Sequence, residues 1–138
     1  MRHLPKIRHS LNCAGDALVI GSDTLLYRLV FNLVENAIRY SRPGSTVNVS
    51  ICDNNSRVFL RVEDQGPGIP KQYRESIFQP FFRLDKSRSR AYGGAGLGLA
   101  LVWEIAALHG GAVEVEASSE NGTTMLASLP KRSAALTE

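Results

Sequence analysis

The run from Leu25 to Ile38 constrains this chain more than any other stretch. Leu25, Leu26, Leu29, Val30, Leu33, Val34, Ala37 and Ile38 recur at the three-four spacing of a helix buried along one face. Ser22 suits an N-cap and Asp23 a first-turn acid, and Pro43-Gly44 stops the pattern after Ser41, giving a helix of about five turns. At about 100° per residue, Asn32, Asn36 and Arg39 share one narrow sector at the border of the apolar stripe, with Tyr40 beside them. Asparagine is a poor helix former because its amide competes for backbone hydrogen bonds, so the pair has to be there for another reason. An amide oxygen is a hard, neutral ligand that Mg²⁺ accepts when phosphate oxygens and water complete its octahedron. A cationic Arg39 and a hydroxyl-bearing Tyr40 suit the same phosphates. Two border amides bonded to a neighbouring loop are the alternative reading of this helix.

The chain has 138 residues, 43% of them hydrophobic, which is one domain's worth and enough for a real core. The net charge of +3 is modest and the basic residues form no long patch interleaved with aromatics, so no nucleic-acid partner is expected. Cys13 and Cys52 lack a second pair for a zinc site and are read as packed thiols of a reducing compartment. No apolar stretch is long enough to span a bilayer, and Met1 to Ser10 is basic without a following hydrophobic region, so the chain is expected to be soluble as given.

Along the chain, residues 6–12 and 17–20 read as short strands around a Gly15-Asp16 turn, before the helix. Residues 46–52 and 57–64 alternate as a hairpin joined by Asp53-Asn54-Asn55-Ser56. Val58, Leu60 and Val62 share one face of the second strand, and the same period puts Asp64 inward, where a carboxylate is costly unless it is hydrogen-bonded. The turn Gln65-Gly66-Pro67-Gly68-Ile69-Pro70 follows. Either Asp64 caps this loop, or it is the floor of a pocket that accepts a hydrogen bond from a ligand's amino group while Gly66 and Gly68 leave room for a flat ring.

Residues 71–77 suit a short helix, and Phe78, Phe81 and Phe82 around Pro80 are expected to anchor their segment to the core. Arg83 to Tyr92 has Arg83, Lys86, Arg88 and Arg90 against the single acid Asp85, a charge run that either faces solvent or closes over polyanionic phosphates. Gly93-Gly94-Ala95-Gly96-Leu97-Gly98 opens into an apolar helix over 99–108 that ends at His109-Gly110-Gly111. Such a turn offers unpaired N–H groups and a positive dipole end to an anion, although its spacing fits neither the dinucleotide fingerprint nor the Walker motif. Strands over 112–118 and 123–129 around Asn121-Gly122 complete an α/β two-layer sandwich, a mixed sheet of about five strands with three helices on one face. Residues 1–130 are read as the domain and 131–138 as a tail.

Taken in order, these motifs resemble the ATP-binding catalytic domain of bacterial sensor histidine kinases, whose superfamily includes gyrase, Hsp90 and MutL. The stretch Asn32 to Ser41 resembles the N box, Asp64 to Pro70 the G1 box, Phe78 to Arg83 the F box, Gly94 to Leu99 the G2 box, and Asn121 to Thr124 the last turn. The resemblance implies the Bergerat ATP-binding fold, with ATP and Mg²⁺ as cofactors. It implies that Asn36 ligates Mg²⁺, that Asn32 supports metal and phosphates, and that Arg39 and Tyr40 line the nucleotide. Asp64 would accept the adenine amino hydrogen beside Gly66, Gly68 and Ile69. Residues 79–95 would form a lid hinged by Gly94, Gly96 and Gly98, with Leu97 and Thr124 at the site and Lys86 or Arg88 reaching the phosphates.

The activity so implied is phosphoryl transfer to a histidine, with Asn32, Asn36 and Arg39 as the catalytic set. The phosphoacceptors of this family are followed by an acid, whereas His3 precedes Leu4, His9 precedes Ser10 and His109 precedes Gly110. The accepting histidine is therefore expected on a separate dimerisation domain of the same kinase, with a response regulator downstream, a cytoplasmic location and a monomeric fragment. Relatives that hydrolyse ATP carry a water-activating Glu where this chain has Asn32, and an amide cannot be that base. Glu35 lies about 100° round the helix from Asn36 and does not take the role. A degenerate ATP-binding regulatory module and an anti-sigma-type serine kinase on the same fold are the competing readings.

Overall fold

The computed structural model describes residues 8–13, 21–82 and 97–131. The amphipathic run forms α1, Asp23–Tyr40. Ser22 caps it by accepting the Leu25 N–H, and the Ser41 N–H closes the last turn on the Ala37 carbonyl at 3.0 Å. Leu29, Leu33 and Ala37 are buried, while Leu25, Val34 and Ile38 pack at the margin of the core. Val30, expected inside, is 37% exposed because the buried stripe is narrower than the apolar run.

A strand before α1, β1 (Arg8–Cys13), pairs in parallel with β2 (Thr46–Asp53), so α1 is the crossover that a parallel pair requires. The strand expected over 17–20 lies outside the described residues. β2 turns into β3 (Arg57–Asp64) through a loop that Asn54 organises by accepting the Ser56 and Arg57 N–H groups. After two short 3₁₀ turns, Lys71–Tyr73 and Ser76–Phe78, comes α2 (Gly98–Leu108), then β4 (Ala112–Ser119) and β5 (Gly122–Pro130). The short helix expected over 71–77 is thus two separate tight turns. Among the described residues there are two α-helices.

The sheet order is β1-β2-β3-β5-β4, with every pair after the first antiparallel. It is the expected mixed sheet of five strands. Val47, Leu60, Val62, Val113, Met125 and Ala127 meet Leu29, Leu33, Val102, Ile105 and Ala106 in one core between sheet and helices. Full burial of each larger side chain contributes about 1.5–3 kcal/mol. The opposite face is polar, and there Arg61 holds Glu116 through two bonds of 2.7 and 2.8 Å. That contact lowers the Glu116 carboxyl and raises the Arg61 guanidinium from their ordinary ranges. No helix among the described residues is long and apolar enough to cross a membrane.

The three phenylalanines divide. Phe78 is buried against Trp103 at a ring separation of 5.3 Å, and Phe82 packs on Tyr73 at 5.7 Å. Phe81 is 70% exposed and does not anchor the segment as expected. Its φ of 66°, left-handed and unusual for an aromatic residue, goes with that outward position.

Candidate functional site

The alternation of β3 buries Val58, Leu60, Val62 and then Asp64, as the period of two requires. The Asp64 carboxylate is 6% exposed, and its Oδ1 accepts the Gly66 N–H at 2.9 Å and the Thr123 N–H at 3.2 Å. Oδ2 takes no hydrogen bond from the described residues. Burial pushes the Asp64 carboxyl above its ordinary range, the two N–H donors oppose that shift, and neighbouring Glu63 adds to it. The result is a recessed acceptor with one oxygen fixed by two backbone N–H groups.

The loop after Asp64 is locked from several sides. A Cβ at Gly66 would collide with the Tyr40 carbonyl oxygen at the end of α1. At Gly68, whose φ is +86°, a Cβ would strike the Ser119 carbonyl oxygen. The Ile69 N–H donates to Ser118 Oγ at 2.8 Å, and Arg74 donates to the Ile69 carbonyl at 3.1 Å and the Ser118 carbonyl at 3.2 Å. The buried Ser41 hydroxyl accepts the Gln65 N–H at 3.4 Å, joining the end of α1 to the same loop.

The other end of the cleft is looser. Asn32 and Asn36 are half-buried on α1. Asn32 Nδ2 donates to the Arg28 carbonyl at 2.8 Å, and its Oδ1 would lie 3.5 Å from a Cβ built at Gly98, so the start of α2 adjoins it. The Asn36 side chain forms no hydrogen bond with the described residues. Arg39 pairs with Glu35 at 3.3 Å, one turn back on the same helix. No side chain among the described residues caps the start of α2, where Leu97 precedes Gly98, and its positive dipole end lies next to Asn32. No group of three or more His, Cys, Asp or Glu among the described residues is placed to hold a metal. A cation here would therefore rest on amide oxygen together with oxygens from a ligand, a donor set that suits Mg²⁺ carried by phosphates.

Of the expected residues, Asp64, Gly66, Gly68 and Ile69 lie together at the end of β3 and in its following loop, where Gly66 meets the Tyr40 carbonyl, while Asn32, Asn36 and Arg39 lie on α1 with Gly98, after Leu97, beside Asn32. Lys86, Arg88, Gly94 and Gly96 lie outside the described residues. Thr124 stands on the polar face of the sheet with Asn48, Ser50, Arg61, Glu63 and Glu116, away from Asp64. The threonine beside Asp64 is Thr123, buried, with its hydroxyl 2.8 Å from Ser118 Oγ. Sequence reasoning missed Thr123, Ser118 and Arg74. The first was within reach: Met125, Ala127 and Leu129 point inward, and the same period puts Thr123 inward and Thr124 outward.

Comparison with known proteins identifies the family and relatives of the chain. Residues 21–133 match the family model described as "Histidine kinase-, DNA gyrase B-, and HSP90-like ATPase". The sensor-like histidine kinase SenX3 of Mycolicibacterium smegmatis is 42% identical over 113 residues, which cover 82% of this chain and 29% of that protein. The mycobacterial sensor histidine kinase MprB superposes with a TM-score of 0.80 at 36% identity, covering 91% of this chain and 83% of the MprB chain. Full-length ShkA in complex with AMPPNP superposes with a TM-score of 0.78 at 26% identity, covering 93% of this chain and 26% of the ShkA chain. The chain thus spans under a third of the curated relative it matches.

Proposed function

Because this chain belongs to the family of histidine kinase-, DNA gyrase B- and HSP90-like ATPases, we propose that its cleft binds Mg²⁺-ATP and passes the γ-phosphoryl group to a histidine of a separate helical domain. The observation that carries the reading is Asp64: a buried carboxylate held on one oxygen by the Gly66 and Thr123 N–H groups, with no described residue bonded to the other. Such an acceptor suits the exocyclic amino group of adenine. With the base there, the triphosphate runs toward α1 and the start of α2.

In this reading Asn36 gives its amide oxygen to Mg²⁺, Asn32 supports the metal and phosphates, and Arg39 and Tyr40 line the nucleotide. The uncapped start of α2 at Gly98 favours the phosphate charge. Lys86 or Arg88 supplies a further cation. Thr123 takes the place first given to Thr124. The residues supply position and charge rather than a covalent intermediate, which is what phosphoryl transfer needs. The accepting histidine belongs to a dimerisation domain of the parent kinase, a response regulator receives the phosphoryl group afterwards, and the domain works in the cytoplasm as a monomer without nucleic acid.

Calorimetry with Mg²⁺-ATP on the parent chain, Asp64→Asn and Asn36→Ala tests the site, and both variants are expected to lose most of the binding. A folded parent that binds no ATP would overturn the reading. Supplying ATP with a histidine-bearing helical domain is expected to yield acid-labile phosphate. Acid-stable phosphate would point to a hydroxyl acceptor and a serine kinase, and binding without transfer to a regulatory module.

A further inference from the structure

His109 follows the last residue of α2, and its ring does more than end that helix. Nδ1 lies 2.8 Å from the Ile105 carbonyl, one turn back, so this nitrogen carries the proton. Nε2 is then the acceptor, and it receives the Ser22 N–H at 3.2 Å. Ser22 is the N-cap of α1: its Oγ accepts from Leu25 and its carbonyl from Leu26. All three polar groups of the cap are thereby in use, one of them by the far end of the other helix. Gly21 is shaped to allow this, because a Cβ there would overlap the imidazole.

Between these ends the helices share the core, and at the start of α2 they are close again, where Gly98 adjoins Asn32. From Ser22 to Asn32 is ten residues and from Gly98 to His109 is eleven. At about 1.5 Å per residue these are spans of about 15 and about 16.5 Å, nearly equal, as an antiparallel pair fastened at both ends requires. Sliding α2 along α1 by one residue, about 1.5 Å, would break the bond to Ser22 and carry Gly98 off Asn32.

We propose that His109 is a positioning residue that sets the axial register of α2 on α1, and through it the placement of the α2 N-terminus at the phosphate end of the cleft. The proposal rests on the nucleotide reading above. It separates the two ends of the site, because the Asp64 end is built from β3 and its following loop, β4, β5 and the end of α1, and none of the contacts described there is to α2.

The test is the affinity for Mg²⁺-ATP and for adenosine, measured by NMR titration on the parent, His109→Phe and His109→Gln, at a temperature where all three are folded. His109→Phe keeps the ring volume and removes both bonds; Mg²⁺-ATP affinity is expected to fall about fivefold to tenfold, the scale of one lost hydrogen bond, with adenosine affinity unchanged. His109→Gln, whose amide can donate and accept, is expected to restore most of the loss. A parent that binds no Mg²⁺-ATP would overturn the nucleotide reading and this proposal with it. A binding parent whose Phe variant loses both ligands equally, or neither, would overturn this proposal alone. Should the Phe variant not fold, a cycle of Gly21→Ala with His109→Ala decides: Gly21→Ala is expected to weaken Mg²⁺-ATP binding in the parent and to add nothing once the ring is gone, and additive losses would count against the staple.

Discussion

The Asp64 end of the cleft and the Asn36 end are built by opposite means. Around Asp64, backbone meets backbone: Gly66 lies against the Tyr40 carbonyl, Gly68 against the Ser119 carbonyl, and Ser118, Thr123 and Arg74 tie the loop to β4 and β5. Around Asn36, half-buried side chains stand on a single helix, that of Asn36 bonding to none of the described residues and that of Arg39 only to its neighbour Glu35. The first arrangement fixes its geometry before any ligand arrives. The second leaves polar groups uncommitted for phosphate and metal to organise. Substitution of the closely packed glycines at the first end should therefore disturb the fold, and substitution at the second should disturb binding alone.

The largest effect is expected from Gly68→Ala. A methyl group there meets a carbonyl oxygen while the backbone sits at φ +86°, so strain and collision act together. A loss of about 3 kcal/mol or more, read from denaturant unfolding, is expected. A loss below about 1 kcal/mol would mean that the loop yields easily and that the contrast between the two ends is weaker than drawn.

Asp64→Asn sharpens the contrast because it keeps the acceptor oxygen and removes the charge. Adenosine affinity should fall about tenfold to a hundredfold, the scale of a mispaired buried polar group, while the fold survives. The pH dependence has a definite sign. Folding raises the Asp64 carboxyl above its ordinary value of 3.8, so its contribution to stability is complete below that value and is lost as pH rises through the higher folded-state value. Parent minus variant stability should fall as pH rises across that window, leaving Asp64→Asn at least as stable as the parent near neutrality. A difference that is flat with pH, or that grows in the parent's favour, would show the carboxylate to be better solvated than its burial implies.

At the other end, Asn36→Ala should weaken Mg²⁺-ATP binding about tenfold, the scale expected of one lost polar contact, and leave metal-free ATP binding nearly unchanged. Alanine is the better helix former, so thermal stability should hold or rise by about 0.5 kcal/mol. Equal losses with and without Mg²⁺ would move Asn36 from metal ligand to nucleotide contact.

How much of this could be read from the residues depended on period. α1, the hairpin over β2 and β3, and the inward Asp64 all follow from three-four or alternating spacing, which burial enforces. The segment after Pro70 has no such period. It is two tight turns, tied down by Arg74 on the Ser118 carbonyl beside Ile69 on the Ser118 hydroxyl, and partners 44 and 49 positions away leave no local trace. Phe81 was read as an anchor because aromatic density suggests packing, but its left-handed backbone goes with an exposed ring. Thr124 was chosen from the resemblance of a turn, where the strand's own alternation already favoured Thr123. The role of His109 has no local signal, because its bond to Ser22, 87 positions away, depends on how two helices lie together.

The smallest effect, and the one that bears most on mechanism, concerns Glu35. Its pairing with Arg39 is a half-exposed contact one helical turn apart, so Glu35→Gln should cost only about 0.3 kcal/mol. The same change removes a negative charge close to where phosphates would lie. Mg²⁺-ATP affinity should therefore rise about twofold at low ionic strength, and the gain should fade in high salt as screening shortens the reach of the charge. Transfer to a histidine-bearing helical domain should proceed at a similar rate, because the uncommitted end of the cleft supplies position and charge and no base. A transfer rate that collapses while ATP binding holds would make Glu35 a proton acceptor after all. The phosphate end would then contain a committed catalytic group.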